Sequence, residues 1–234
     1  MDDELLIVED LLLLLLDDDG ASIAGAGTLH YTLGGAVLVD LALRGRIEED
    51  KESGGILNGP IIRQVGTDPL SDPVLQTAFE KVGEKPRRVQ PLLLSIGANL
   101  LNPLAERLEQ RGMVNRESRR FLGLFRTTAW PAADQAHETE LRRKINAVLV
   151  DGEQPDPRVA AVIALLSASG AMPALRPPVP WTSQTIARAK ELESGDWGAA
   201  AVSTAVTRTA AAIAASSAVA TGVAITAAAT AATN

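Results

Sequence analysis

Six consecutive leucines, Leu11–Leu16, run directly into Asp17-Asp18-Asp19-Gly20. A helix that is apolar on every side has no face to offer water, so the rest of the chain has to enclose it. The run is far too short to cross a bilayer, which takes about 20 residues. Residues Glu4–Leu16 therefore read as a buried first helix. The acidic triplet stops it, with Gly20 suited to the left-handed cap position. A second helical pattern covers Ala24–Leu43 and ends at Arg44-Gly45, where an arginine complements the C-terminal end of the helix dipole.

Enclosing such a helix takes a substantial core, and 234 residues suffice for one domain. Aromatic residues are only 3% of the chain, so Ala, Leu, Val and Ile must build that core. Small aliphatic side chains suit closely spaced helices, and Ala is the strongest helix former. The expected fold class is mainly α: a single globular helical domain over 1–234 with a buried Ala-rich helix, Gly198–Ala232, and a β-hairpin. The uncharged stretch Thr209–Thr233 reads as a buried helix in preference to a frayed tail or a tail anchor, because Ala, Thr, Ser and Gly gain little on entering lipid.

Between these ends, Arg46–Val65 reads as two short strands. Ser71 and Asp72 can cap a helix running through about Val82, and GEKPRR reads as a solvated turn. Val89–Leu101, Pro103–Arg111, Asp134–Val150, Asp156–Ala168 and Thr182–Glu193 read as helices, with Pro177–Pro180 a stiff linker. Met113-Val114 and Phe121–Phe125 flank the polar NRESRR, which reads as a hairpin with Arg116, Arg119 and Arg120 at its tip.

The chemical candidates thin out quickly. With no cysteine there is no disulfide, thiolate nucleophile or Cys-based zinc site. A net charge of −7 argues against the basic footprint that nucleic acid requires. An EF-hand loop counted from Gly20 places Leu15 and Ala26 at ligand positions, so calcium is not expected. His137-Glu138 is not followed by the second histidine of a zinc helix. Gly25-Ala26-Gly27 has His30 where a dinucleotide loop needs its third glycine; this glycine and Gly34-Gly35 read instead as places where helices approach closely. No phosphate-binding loop or nucleophile elbow occurs. No enzyme, cofactor or metal is expected, although scattered carboxylates leave an unrecognised active site open. The acidic opening MDDELLIVED lacks the positive region of a secretory signal, so a cytoplasmic place is expected. Heavy use of Ala, and of Arg over Lys, suggests a GC-rich bacterial source.

Several of these blocks together resemble the Golgi phosphoprotein 3 (GPP34) family. They are Glu9-Asp10-Leu11 through Gly20, LVDLALRGRI at Leu38–Ile47, Asn102-Pro103, LEQRGMV at Leu108–Val114, FLGLF at Phe121–Phe125, ELRRKINAVL at Glu140–Leu149 and PDPR at Pro155–Arg158. The resemblance spans nearly the whole chain. It implies an all-helical fold with a buried central helix, and a projecting hairpin used in self-association. It also implies binding of phosphatidylinositol 4-phosphate at a membrane surface, in an adaptor role linked to sorting of glycosyltransferases. By spacing, the four headgroup-binding positions fall on Gly25, Gly34 and near Ala98 and Leu101. None of these can donate a charge-assisted hydrogen bond to phosphate, each such contact being worth about 1.5–3 kcal/mol.

The expected function is thus a non-enzymatic peripheral-membrane adaptor, on the inner face of the membrane, with the relatives' headgroup contacts not retained. Arg44, Arg46 and Arg126, near the signature turns, are the candidate contacts for an anionic lipid headgroup. The alternative is a self-associating scaffold without a lipid ligand, using Phe121, Leu122, Leu124 and Phe125 of the hairpin. A winged-helix nucleic-acid binder is a further alternative, opposed by the acidic charge.

Overall fold

A computed structural model describes residues 4–50, 60–121, 125–195 and 210–217. The leucine run forms helix α1, Ile7–Leu15, and all nine of its residues are buried. The helix starts later than the sequence suggests, because the N-cap is Leu6 and its amide is satisfied by Oε2 of Glu9 at 2.7 Å. It also ends earlier. Leu16 turns to extended backbone and bridges to Ile23, so the acidic triplet belongs to a separate loop. Gly20 does adopt the left-handed conformation (φ +60°), but it closes this loop instead of capping α1. A side chain there would collide with the backbone of Trp130 and Pro131.

Helix α2, Leu29–Leu43, follows a single 3-10 turn at Ala26–Thr28. The helix is buried almost all round and packs against α1 and against three later helices. These are α3 (Pro73–Gly83), α4 (Val89–Gly97) and α7 (Pro157–Ala168). After Arg44 the chain enters a small antiparallel sheet of β1 (Ile47–Glu49), β2 (Ile61–Gln64) and β3 (Arg87–Arg88), in that order. Strand β3 lies within GEKPRR, expected as a turn. It is recruited by pairing with Ile61 and Ile62, a partner that local sequence does not reveal.

Asp72 caps α3 as expected, its Oδ1 accepting from Val74 N (2.8 Å) and Leu75 N (3.1 Å), with Pro73 in the first turn. Helix α4 stops at Gly97, and α5 runs Leu101–Gln110, so the break falls three residues before the expected one. Proline is tolerated at Pro103 because it lies in the first turn of α5.

The hairpin is present but shifted along the chain. Strands β4 (Glu117–Phe121) and β5 (Phe125–Ala129) pair antiparallel, with Phe121 opposite Phe125. Arg119 and Arg120 therefore lie within a strand, and residues 122–124 between the strands lie outside the described residues. Helices α6 (Ala136–Leu149), α7 and α8 (Ser183–Glu193) complete the layers. Of the Ala-rich segment, 210–217 is described. It is helical, with Ala210, Ile213, Ala214 and Ser217 buried. It reaches α2, where Ser217 Oγ lies beside Gly35. The remainder of Gly198–Ala232 is outside the described residues. The result is a helical single domain with one continuous aliphatic core.

Candidate functional site

Carboxylates buried in a leucine-lined core demand explanation, since an uncompensated buried charge is very costly. Glu9 and Asp10 on α1 and Asp40 on α2 are all buried. Asp40 accepts from the Ile7 amide at 2.7 Å, so α2 supplies the N-terminal cap that α1 lacks in its own sequence. Burial pushes the Asp40 carboxyl up, and the Ile7 amide and the Arg44 guanidinium pull it back only in part. Glu9 pairs with Arg107 Nε at 3.2 Å. Asp10 pairs with Arg158 Nε at 2.6 Å and with His137 Nε2 at 2.7 Å. Arg158 also donates to the Leu5 carbonyl. Every carboxylate in this cluster is thus engaged with a backbone donor or a cation. The cluster fastens α1 to α2, α5, α6 and α7.

A second polar cluster surrounds the acidic loop. Burial works against the charge of Asp17, yet the Ser22 hydroxyl and amide and the Ala21 amide hold its carboxyl below the ordinary range. Glu138 is pushed up by burial, with Arg142 opposing. Arg142 bonds both Glu138 (2.7 Å) and the Arg176 carbonyl (2.7 Å). These contacts stitch loops together. No group of three or more His, Asp or Glu with metal-site geometry occurs among the described residues.

The positions matched by spacing to the relatives' headgroup contacts fall on close backbone approaches and on the surface. Gly25 is left-handed (φ +67°) and sits beside Ala171. Gly34 lies where α2 touches α4, and a Cβ there would fall inside the Leu93 carbonyl. Gly97 likewise meets the His30 carbonyl. The two helices pack backbone to backbone here, so neither Gly34 nor Gly97 could be replaced by a residue with a side chain without moving them. Ala98 is exposed and Leu101 half-buried.

Of the candidate arginines, Arg44 and Arg46 are each held by neighbours in the body of the protein. Arg44 is exposed and pairs with Asp40 at 3.3 Å. Arg46 stacks over the Phe79 ring, 4.5 Å from its centroid, and donates to the Asp68 carbonyl. Position 126 is in β5, but the side chains of Phe121, Phe125 and Arg126 lie outside the described residues, as do Leu122 and Leu124 altogether.

Sequence reasoning passed over one feature. A groove of about 410 Å³ runs between α3, α4 and α5, floored by Val74, Ala78, Ile96 and Leu100. Lys81 stands on its rim and donates to the Ser95 carbonyl at 2.8 Å. No motif marks the groove, because its walls come from three helices whose packing is set by their opposite faces.

Among curated proteins nothing matches the chain. A family model does match, over residues 7–209, from the first turn of α1 to beyond α8. That span takes in the buried leucine helix, the LALRGR turn and the β4–β5 hairpin, and on it the chain belongs to the Golgi phosphoprotein 3 (GPP34) family.

Proposed function

We propose that this chain is a non-enzymatic, peripheral-membrane adaptor that contacts anionic lipid through its surface, without a stereospecific pocket for phosphatidylinositol 4-phosphate. Membership of the Golgi phosphoprotein 3 family supports the adaptor role. The observation that supports the rest is that Gly34 is seated on the Leu93 carbonyl with no room for a side chain, so this position offers no donor to a phosphate. Arg44 at the LALRGR turn is an exposed cation for such contact, with Arg46 and Arg126 as the other candidates.

Co-sedimentation with vesicles at low salt tests this reading. Vesicles of phosphatidylglycerol, cardiolipin and phosphatidylinositol 4-phosphate at equal surface charge are expected to bind alike, and raised salt to release the protein. A strong preference for phosphatidylinositol 4-phosphate would overturn the absence of a pocket. No binding to any anionic vesicle would overturn the membrane role.

A second reading, a self-associating scaffold, is favoured by one observation. Among the described residues β4 and β5 pair only with each other, so both outer edges of the hairpin have open backbone groups that a second copy could pair.

A further inference from the structure

Helix α4 buries Val89, Leu92, Leu93 and Ile96 against α2. On its opposite side it exposes Pro91, Leu94 and Ala98, which recur at helical spacing. Leu94 is 47% exposed; the only other large hydrophobic residue so exposed among the described residues is Val150. An isolated exposed leucine is ordinary. Here it has unusual company. From Lys85 to Ala105 the chain contains no Asp or Glu, although it is acidic overall. That stretch carries Lys85, Arg87 and Arg88 at or just before the N-terminal end of α4, and Lys85 and Arg88 are exposed. Neither makes an ion pair among the described residues, whereas Arg87 is held by Glu84. From α3, Lys81 reaches the Ser95 carbonyl and adds a cation beside Leu94. Of the nearby acids, Glu84 pairs with Arg87 and Glu106 with Arg116, while Glu80, bonded to the neutral Gln76 amide, keeps its charge.

We propose that the outer face of α4 is a further part of this protein that meets the membrane, beside the candidate arginines. Leu94 enters the interfacial layer of an anionic bilayer while Lys81, Lys85 and Arg88 sit at its phosphates. An apolar stripe bordered by cations in an otherwise acidic molecule complements a negatively charged lipid surface and repels most acidic proteins. One leucine and three cations make such contact weak, reversible and salt-sensitive. The proposal rests on the adaptor reading above and adds to it the element and the mode of contact.

The test uses the full-length chain, which has no native cysteine. An environment-sensitive fluorophore is attached at Leu94→Cys, and in a control protein at Val150→Cys. Vesicles of equal parts phosphatidylglycerol and phosphatidylcholine are expected to shift the Leu94 label to the blue and leave the Val150 label unmoved. The double substitution Lys85→Gln/Arg88→Gln, at exposed positions, should lower co-sedimentation about 20-fold while the melting temperature holds. If the protein sediments with vesicles but the Leu94 label stays unshifted, α4 is not the contact and the adaptor reading survives. If sedimentation ignores the charge pair, the proposal also fails. A blue shift that grows with protein concentration in the absence of lipid would assign the face to a second copy and overturn it. Absence of sedimentation with every anionic vesicle removes the adaptor reading and the proposal together.

Discussion

Asp72 shows how one side chain serves several elements. It caps α3 through two backbone amides, and its other oxygen pairs with Arg107 at 2.8 Å. Burial opposes its charge, but the Arg107 hydrogen bond and the Leu75 and Val74 amides outweigh that and hold its carboxyl below the ordinary 3.8. A carboxyl lowered by folding stabilises the protein above the unfolded value, and the contribution drains away as pH falls through 3.8 and below. Asp72→Asn keeps a capping oxygen and deletes the charge, so the expected cost is about 1–2 kcal/mol at pH 7. In denaturant titrations at several pH values, parent and variant should converge towards pH 3; a gap that persists in acid would show that shape matters there and charge does not. Asp40 has the opposite sign, because burial raises its carboxyl and ionising it on the way up from 3.8 costs stability. The cap at Asp72 was legible, since Ser-Asp-Pro before an apolar helical pattern announces it. The cap at Asp40 was not. Its target, Ile7, is 33 residues away, and nothing in LVDLAL marks the acid as another helix's cap.

Helices α2 and α4 are the closest-packed pair, and glycine makes them so. The small residues at Gly34-Gly35 did read from sequence as permitting close approach, although which helix approaches was hidden. Gly34→Ala would drive a methyl into the Leu93 carbonyl, a backbone atom that cannot swing aside. Gly35→Ala meets Ser217 Oγ at 3.0 Å and Leu165 Cδ2 at 3.1 Å, both side-chain atoms able to yield. Thermal melts should rank the two, with Gly34→Ala losing about 3 kcal/mol or failing to fold and Gly35→Ala losing clearly less. Equal losses would mean the helices are not seated backbone to backbone. Element types were largely readable because α1 and α2 are apolar on nearly every side, α3, α7 and α8 start at side-chain caps, and α4, α5 and α6 have one apolar face. Their ends were less so: α1 stops for pairing of Leu16 with Ile23, and β3 exists only because β2 lies beside it.

At the scale of the molecule, the hairpin is the described feature most separate from the core; its legs are closed by the Val114–Ala132 bridge and tied to the body where the Trp130 and Ala132 amides donate to the Gly20 and Asp18 carbonyls. Replacing Glu117–Ala129 with a short Gly-Ser turn should leave the melt nearly unchanged and lower the mass seen by light scattering, if self-association runs through β4 and β5. A lighter-than-parent variant would support that use, and an unchanged mass would refute it. Fold class and family were visible in the sequence because they depend on pattern over long stretches. The groove between α3, α4 and α5 and the α4 outer face were not, because each is defined by what the neighbouring helices leave uncovered. The fastening of α1 reaches far along the chain. Its carboxylates find their cations 98 and 148 residues later, in Arg107 and Arg158. Synthesis makes α1 before either cation, so the charges that let this leucine helix be buried are complete only once α7 has been made.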